Sequence, residues 1–448
     1  MQRRKILELF DEQKDFFNKV TNKGIENNRK GSATIIIKNK NGDIICDAKI
    51  KAEQKTHEFK FGANLFMLDE LESKEKNDLY KKYFSSVFNM ATLPFYWNTL
   101  EPEKGKTRYE KDSPKIYRRP APDLCIEFCE KHNIEPREHA LAYDLTFPRW
   151  LSSLSVKEEK KELERRFSEI AKRYANKIPT IEVTNEMERE KGVSSFYDEP
   201  DFIEWCFKTA EKYFPNNQLA INEYNALAWD DYGRTTDKYY AYIENTLLKG
   251  ARIDAIGFQY HLFYPKEKEY ELSRKTLNPK HIYHQLDLYS NFKKPLQLTE
   301  VTLPAYSANK EDEEIQAILL EKLYTLWFSH PSVEQIIYWN LVDGYLHVWE
   351  QDPKKIRATM GDMTIGENYY YGGLLHFDLT PKPAFLKLEE LINKKWHTNE
   401  EIITNKNGVA YFRGFYGEYS LDIEVNGNKT KKTIKISKNS DNEITVIL

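Results

Sequence analysis

The chain has 448 residues, of which 40% are hydrophobic, 31% charged and 14% aromatic, a mix too rich in rings for a disordered chain and long enough to bury a large core. Its 67 basic and 70 acidic side chains leave a formal charge of −3, which excludes the strong positive field that general nucleic-acid binding requires. No run approaches 18 apolar residues, so no membrane insertion is expected.

The chain starts with Met1-Gln2-Arg3-Arg4-Lys5, but Glu8, Asp11 and Glu12 stand where a signal peptide needs an apolar run. The expectation is a secreted or periplasmic protein whose leader is absent from this sequence, or alternatively a cytoplasmic one. Apolar residues Ile6, Leu7, Phe10, Phe16 and Phe17 recur at helical spacing, so residues 1–30 read as a leading helix. Two β-rich runs, 33–37 and 44–52, flank Asn41-Gly42-Asp43, and Asn-Gly supplies the positive φ angles of a tight turn. Residues 31–58 therefore read as a β-hairpin.

From residue 59 to 395 short apolar runs alternate with amphipathic stretches, the βαβα order that builds a parallel sheet covered by helices. Eight strands are predicted at 59–64, 89–93, 135–142, 180–185, 219–223, 255–259, 296–300 and 335–339. Helices are predicted between them at 68–84, 123–132, 156–175, 201–213, 236–249, 279–291 and 310–330, and an eighth at 381–394. Eight of each fit an α/β (β/α)₈ TIM barrel. A doubly wound open sheet is the alternative, but Gly62-Ala63-Asn64 lacks the spacing of a phosphate-binding turn. Residues 396–448 are punctuated by Gly408, Gly414, Gly417 and Asn426-Gly427-Asn428 and read as a small β module that packs with 31–58 as one accessory β-sandwich.

Four cysteines are too few for a disulfide framework and are read as buried thiols. Cys125 and Cys129, near His132, lack the second ligand pair of a zinc site, so no metal and no cofactor is expected.

A barrel of this type carries its active site at the C-terminal ends of its strands. The polar residues ending the predicted strands are Asn185 and Glu186, Glu223, Gln259 and His261, and Glu300, joined by Tyr143, Asp144, Trp339 and Asp343. Two glutamates ending the fourth and seventh strands face one another across the mouth, as an acid and a nucleophile flanking a glycosidic bond would. Tyr143, Trp150, Trp339, Tyr345 and Trp349 are candidates for stacking on sugar faces, with core packing the other reading of Trp150 and Trp339.

The ordered pieces Phe61-Gly62-Ala63-Asn64, Trp97-Asn98-Thr99-Leu100-Glu101-Pro102, Thr184-Asn185-Glu186, Asn222-Glu223, Gly257-Phe258-Gln259-Tyr260-His261, Leu298-Thr299-Glu300 and Tyr338-Trp339-Asn340 resemble glycoside hydrolase family 10 over about residues 59–394. That family consists mostly of retaining endo-β-1,4-xylanases. The resemblance implies Glu186 as general acid/base, Glu300 as nucleophile, Asn185 gripping the sugar 2-hydroxyl, and Gln259 and His261 around the nucleophile. It implies an oligosaccharide or polysaccharide substrate and carboxyl groups about 5–5.5 Å apart.

Two departures alter the pocket. Thr92-Leu93-Pro94-Phe95-Tyr96-Trp97-Asn98 stands where the family carries Glu-Asn-Glu-Met-Lys-Trp-Asp, so Tyr96 replaces a lysine. Tyr143-Asp144 replaces Trp-His. Tyr96, Trp97, Asn98 and Asp144 are thus expected substrate contacts, with Arg149 a further candidate. A carbohydrate-binding scaffold without turnover is the second reading, and a metal-dependent barrel hydrolase the third.

Overall fold

The computed structural model describes residues 3–224, 226–229, 237–348 and 353–448. Two strands, β1 (Lys30–Lys38) and β2 (Lys49–His57), precede the main domain. Eight strands follow: β3 (Lys60–Asn64), β4 (Met90–Pro94), β5 (Glu135–His139), β6 (Thr180–Asn185), β7 (Gln218–Glu223), β8 (Ala255–His261), β9 (Leu296–Thr302) and β10 (Val333–Tyr338). They close into a parallel barrel in chain order, with β10 pairing back onto β3. β4, β6, β8 and β9 are buried along their whole length, as strands enclosed by packed side chains inside and helices outside must be.

The predicted helix at 68–84 begins instead at Lys74, where the Ser73 hydroxyl accepts the Lys76 N–H. Leu65 to Leu68 and Leu71 are buried against the main core and its rim, so their apolar character marks a packed loop above β3 rather than a helical face. The N-terminal helix Lys14–Arg29 lies along helix Lys310–Ser329 so closely that a Cβ at Gly24 would sit 2.4 Å from the Ser329 carbonyl oxygen. It ends on Arg29, whose buried guanidinium donates to the carbonyls of Phe328, His330 and Val333. Among the described residues no helix is long and apolar enough to cross a membrane.

Five strands end the chain: β11 (Asn399–Ile403), β12 (Val409–Phe415), β13 (Gly417–Val425), β14 (Asn428–Ile436) and β15 (Glu443–Ile447). They form two sheets, β12-β1-β15 and β11-β2-β13-β14. The accessory sandwich is there, but β1 and β2 are not a hairpin. Each is a central strand of a different sheet, and the Asn41-Gly42 turn joins them only through an isolated bridge at Lys38 and Ile44. The shared core comprises Ile35, Ile37, Ile50, Leu421, Ile423, Ile434 and Ile436, as the alternation predicts.

On β12, Ala410 and Phe412 point inward, whereas Tyr411 between them is 64% exposed, as the alternation of a strand requires. Ile44 and Cys46 are also exposed, the latter correcting its reading as a buried thiol. Cys125, Cys129 and Cys206 are buried and unpaired.

Candidate active site

Glu186 follows β6 with its backbone in the left-handed region, φ 54°, and its N–H donates to the Asn222 carbonyl on β7. This turn is rare for a residue with a Cβ and folds the side chain back over the barrel mouth. Glu300 lies inside β9, almost fully buried. A continuous run of side-chain amides connects the two carboxyls. Gln259 Nε2 donates to Glu186 Oε1 at 3.0 Å and to Asn185 Oδ1 at 3.2 Å, while Asn222 Nδ2 donates to Asn185 Oδ1 at 2.9 Å and to Glu300 Oε1 at 3.2 Å. Four strands, β6 to β9, thus contribute one polar side chain each to a single relay.

The remaining oxygens have different partners. The Tyr143 hydroxyl donates to Glu186 Oε2 at 2.6 Å, and Arg189 forms an ion pair with the same oxygen. Glu300 Oε2 faces His261 Nε2 at 3.3 Å, and His261 Nδ1 lies 2.9 Å from the Thr302 hydroxyl. Burial pushes His261 down to about 4, so it is neutral at neutral pH and can donate from Nε2.

Burial also pushes the Glu300 carboxyl up to about 8. The charge of His139 opposes this, and Glu182 and Glu186 reinforce it. At neutral pH the resting pair therefore holds a proton.

Beneath the pair lies a charged layer that the sequence reading did not assign to the site. Glu182 on β6 forms an ion pair with Arg137 at 2.5 Å and is bonded to His139 Nδ1 at 2.8 Å. Glu182 raises the affinity of His139 for its proton, against the effect of burial. His139 Nε2 lies 3.0 Å from the Tyr96 hydroxyl. Tyr96, Phe66 and Trp339 form a separate apolar cluster with Tyr143 at its edge, and Trp339 meets His139 and His261 edge to face. The signal was available: Arg137 and Glu182 interrupt strands that should be apolar, and both point into the barrel.

Several predicted residues are occupied elsewhere. Trp97 is buried against Phe147 and Trp150, and its indole N–H donates to Glu101, which also receives Gly105 N–H and Arg165. Gly105 takes φ +80° in that turn. Both oxygens of Asp144 accept backbone N–H groups of residues 192–194, which ties down the loop after β6. Tyr345 is enclosed, stacked on Phe377 and bonded through its hydroxyl to Glu72 and Lys76.

Glu223 caps the N–H groups of Glu188 and Tyr224, and Asp343 pairs with buried Lys382. Asn98 is exposed at the start of the short helix Trp97–Leu100, and the indole of Trp150 donates to the Glu101 carbonyl. Trp349 lies outside the described residues.

The geometry can be set beside known proteins. A family model described as Glycosyl hydrolase family 10 matches residues 16–385. The chain is 22% identical over 408 residues to endo-1,4-beta-xylanase 1 of Arabidopsis thaliana, covering 89% of this chain and 37% of that protein. It is 24% identical over 424 residues to anti-sigma-I factor RsgI6 of Acetivibrio thermocellus, covering 94% of this chain and 48% of that one. The chain thus spans between about a third and a half of the length of these curated relatives. Among solved structures, native xylanase 10B from Thermotoga maritima superposes with a TM-score of 0.59 at 21% identity, covering 75% of this chain and 96% of that one. At that identity the likeness shows a shared barrel fold.

Proposed function

Because the chain belongs to glycosyl hydrolase family 10, we propose that it is a retaining β-glycoside hydrolase that cleaves a β-linked glycan by double displacement. The observation that carries this reading is the amide relay joining Glu186 and Glu300 across the barrel mouth. It ties both carboxyl groups to the side chains of β6 to β9, while their other oxygens meet Tyr143, Arg189 and His261.

In the first step a Glu300 oxygen attacks the anomeric carbon while Glu186 gives its proton to the departing glycosidic oxygen. The bond to the leaving sugar breaks as the ester to Glu300 forms. Esterification removes the negative charge of Glu300, so Glu186, now ionised, takes a proton from water, and the hydroxide releases the sugar with its original β configuration. The single proton that the resting pair holds is the one this cycle needs. It must reside on Glu186 when the bond breaks, and the donors Asn222 and His261 favour ionised Glu300 at that moment.

The substrate is a β-linked oligosaccharide or polysaccharide, and plain unsubstituted xylan is a poor one. Asp144 is turned to the loop, so it does not replace the sugar contact that a histidine at that position would make. Tyr96 is likewise committed to His139. Each polar group left unpaired in a closed site costs about 1–3 kcal/mol.

Hydrolysis of a panel of β-glycans and aryl β-glycosides, with the first product anomer read by NMR, tests the proposal. Retention on at least one substrate supports it. Initial release of the α-anomer, or rapid cleavage of plain xylan, contradicts the mechanism or the specificity respectively.

A further inference from the structure

One corner of the cleft carries positive charge that the reaction above does not use. Arg118 and Arg119 lie between the exposed segment Lys111–Lys115 and the helix Pro122–His132. The Arg119 guanidinium stacks over the ring of Tyr96 at 3.9 Å and over Phe66 at 5.1 Å. Tyr96 in turn bonds His139 and lies 6.0 Å, ring to ring, from Tyr143, the donor to Glu186. Arg119 is therefore one aromatic ring away from the groups that hold the reacting carboxyls.

Neither arginine forms an ion pair among the described residues. Among the described residues Arg119 donates to the Arg118 carbonyl. Arg118 is 3% exposed and donates to the Tyr345 carbonyl, and its Nε is buried without a partner.

A desolvated guanidinium without a counter-ion is costly. Burial pushes Arg119 down to about 10, which still leaves it cationic at neutral pH. The carboxylate whose charge it feels, Glu367, is already engaged by the Asn340 amide at 2.7 Å and the His347 N–H at 3.4 Å. His347 is pushed down to about 3 by burial and by the two arginines, so it adds no charge. Two guanidiniums thus lie near one committed carboxylate, beside the cluster of Phe66, Tyr96 and Trp339.

We propose that Arg119, backed by Arg118, is a specificity-determining residue for a glycan bearing a uronic acid next to the cleaved bond. A planar guanidinium already held flat on a ring presents paired N–H donors that match a carboxylate in a bidentate contact. The desolvation that is unfavourable in the free protein becomes favourable once the acid group is bound. This inference rests on the glycoside hydrolase reading for its kinetic expression, but not for its binding expression.

The test uses a xylo-oligosaccharide carrying a glucuronic acid side group, and the same compound with its carboxyl reduced to the alcohol. Affinity for both is measured by calorimetry on Glu300→Gln, which cannot turn over, with and without Arg119→Ala or Arg119→Lys. The acidic compound should bind at least tenfold more tightly than the reduced one. Arg119→Ala should bring that ratio near one, and Arg119→Lys should leave an intermediate value. The matching ratio of kcat/KM should follow in the parent and the Arg119 variants, with unchanged melting temperatures confirming the fold.

Equal affinity for the two compounds, or a ratio that survives Arg119→Ala, overturns the inference even if both are hydrolysed. A preference for a sulfated oligosaccharide over the uronate also overturns it. Selective binding lost with Arg119 but without any hydrolysis upholds it while refuting the hydrolase reading.

Discussion

The Tyr143 hydroxyl donates to Glu186 Oε2 at 2.6 Å, so the Glu186 carboxyl is held on one oxygen by a phenol and on the other by Gln259. In the proposed mechanism Tyr143 is thus a positioning residue for the acid/base group. Tyr143→Phe removes this hydrogen bond at a cost of about 1 kcal/mol to the positioned carboxyl, so kcat should fall up to about tenfold. A kcat identical to the parent's would mean that the contact has no part in holding Glu186.

Glu300 gives a stability prediction whose sign can be worked out. Its carboxyl is raised from the ordinary value of 4.5 to about 8, so between those values the unfolded chain releases a proton that the folded chain keeps. Stability therefore falls as pH rises through that window and levels off above it. Glu300→Gln removes the group and should melt higher than the parent at pH 8, by an amount corresponding to a few kcal/mol. The gap should close near pH 4. An inverted or flat dependence in a pH series of melting curves would contradict the burial of this group.

Asp144 is expected to act on the loop, not on the sugar. Asp144→Ala leaves three backbone N–H groups without their acceptor, including that of buried Ser194. The loss should be about 1–3 kcal/mol. Limited proteolysis should then cut near Lys191 in the variant before it cuts the parent, and the melting temperature should fall by several degrees. If both were unchanged, Asp144 would be free for another role.

Removal of residues 397–448 strips β1 and β2 of both neighbours at once, since each is central in its own sheet. It also removes Phe415, which packs on Phe328 and His57 at the junction with the barrel. The truncated chain should melt well below the parent and bind a hydrophobic dye, with turnover of a small aryl glycoside retained at low temperature. An unchanged melting temperature would show that the sandwich is an independent appendage.

The barrel was legible because most of its strands carry a short apolar run that stands out against amphipathic helices, and the polar strand ends marked Asn185, Glu186, Gln259, His261 and Glu300. The pairing of β1 and β2 was not, because Ile35, Ile37 and Ile50 show the same alternation whether two strands lie side by side or face each other across a core. A turn such as Asn41-Gly42 reverses the chain without stating which sheet the second strand joins. Trp97 and Tyr345 look like sugar platforms in sequence. Only their contacts with residues distant in sequence, Phe147 and Trp150 for Trp97 and Phe377 for Tyr345, show that they are enclosed. Arg119 gave no signal, since a cation over a tyrosine is a meeting of two loops.

The covalent intermediate on Glu300 is the central claim, and a 2-deoxy-2-fluoro β-glycoside with a dinitrophenolate leaving group tests it directly. Such a substrate slows breakdown of the ester more than its formation. After incubation, intact-mass spectrometry should show one added fluorosugar with release of one equivalent of dinitrophenolate. The peptide carrying the sugar should contain Glu300, and Glu300→Gln should show no addition. A sugar found on another residue, or turnover of the parent's natural substrate with no adduct under any condition, would contradict the account.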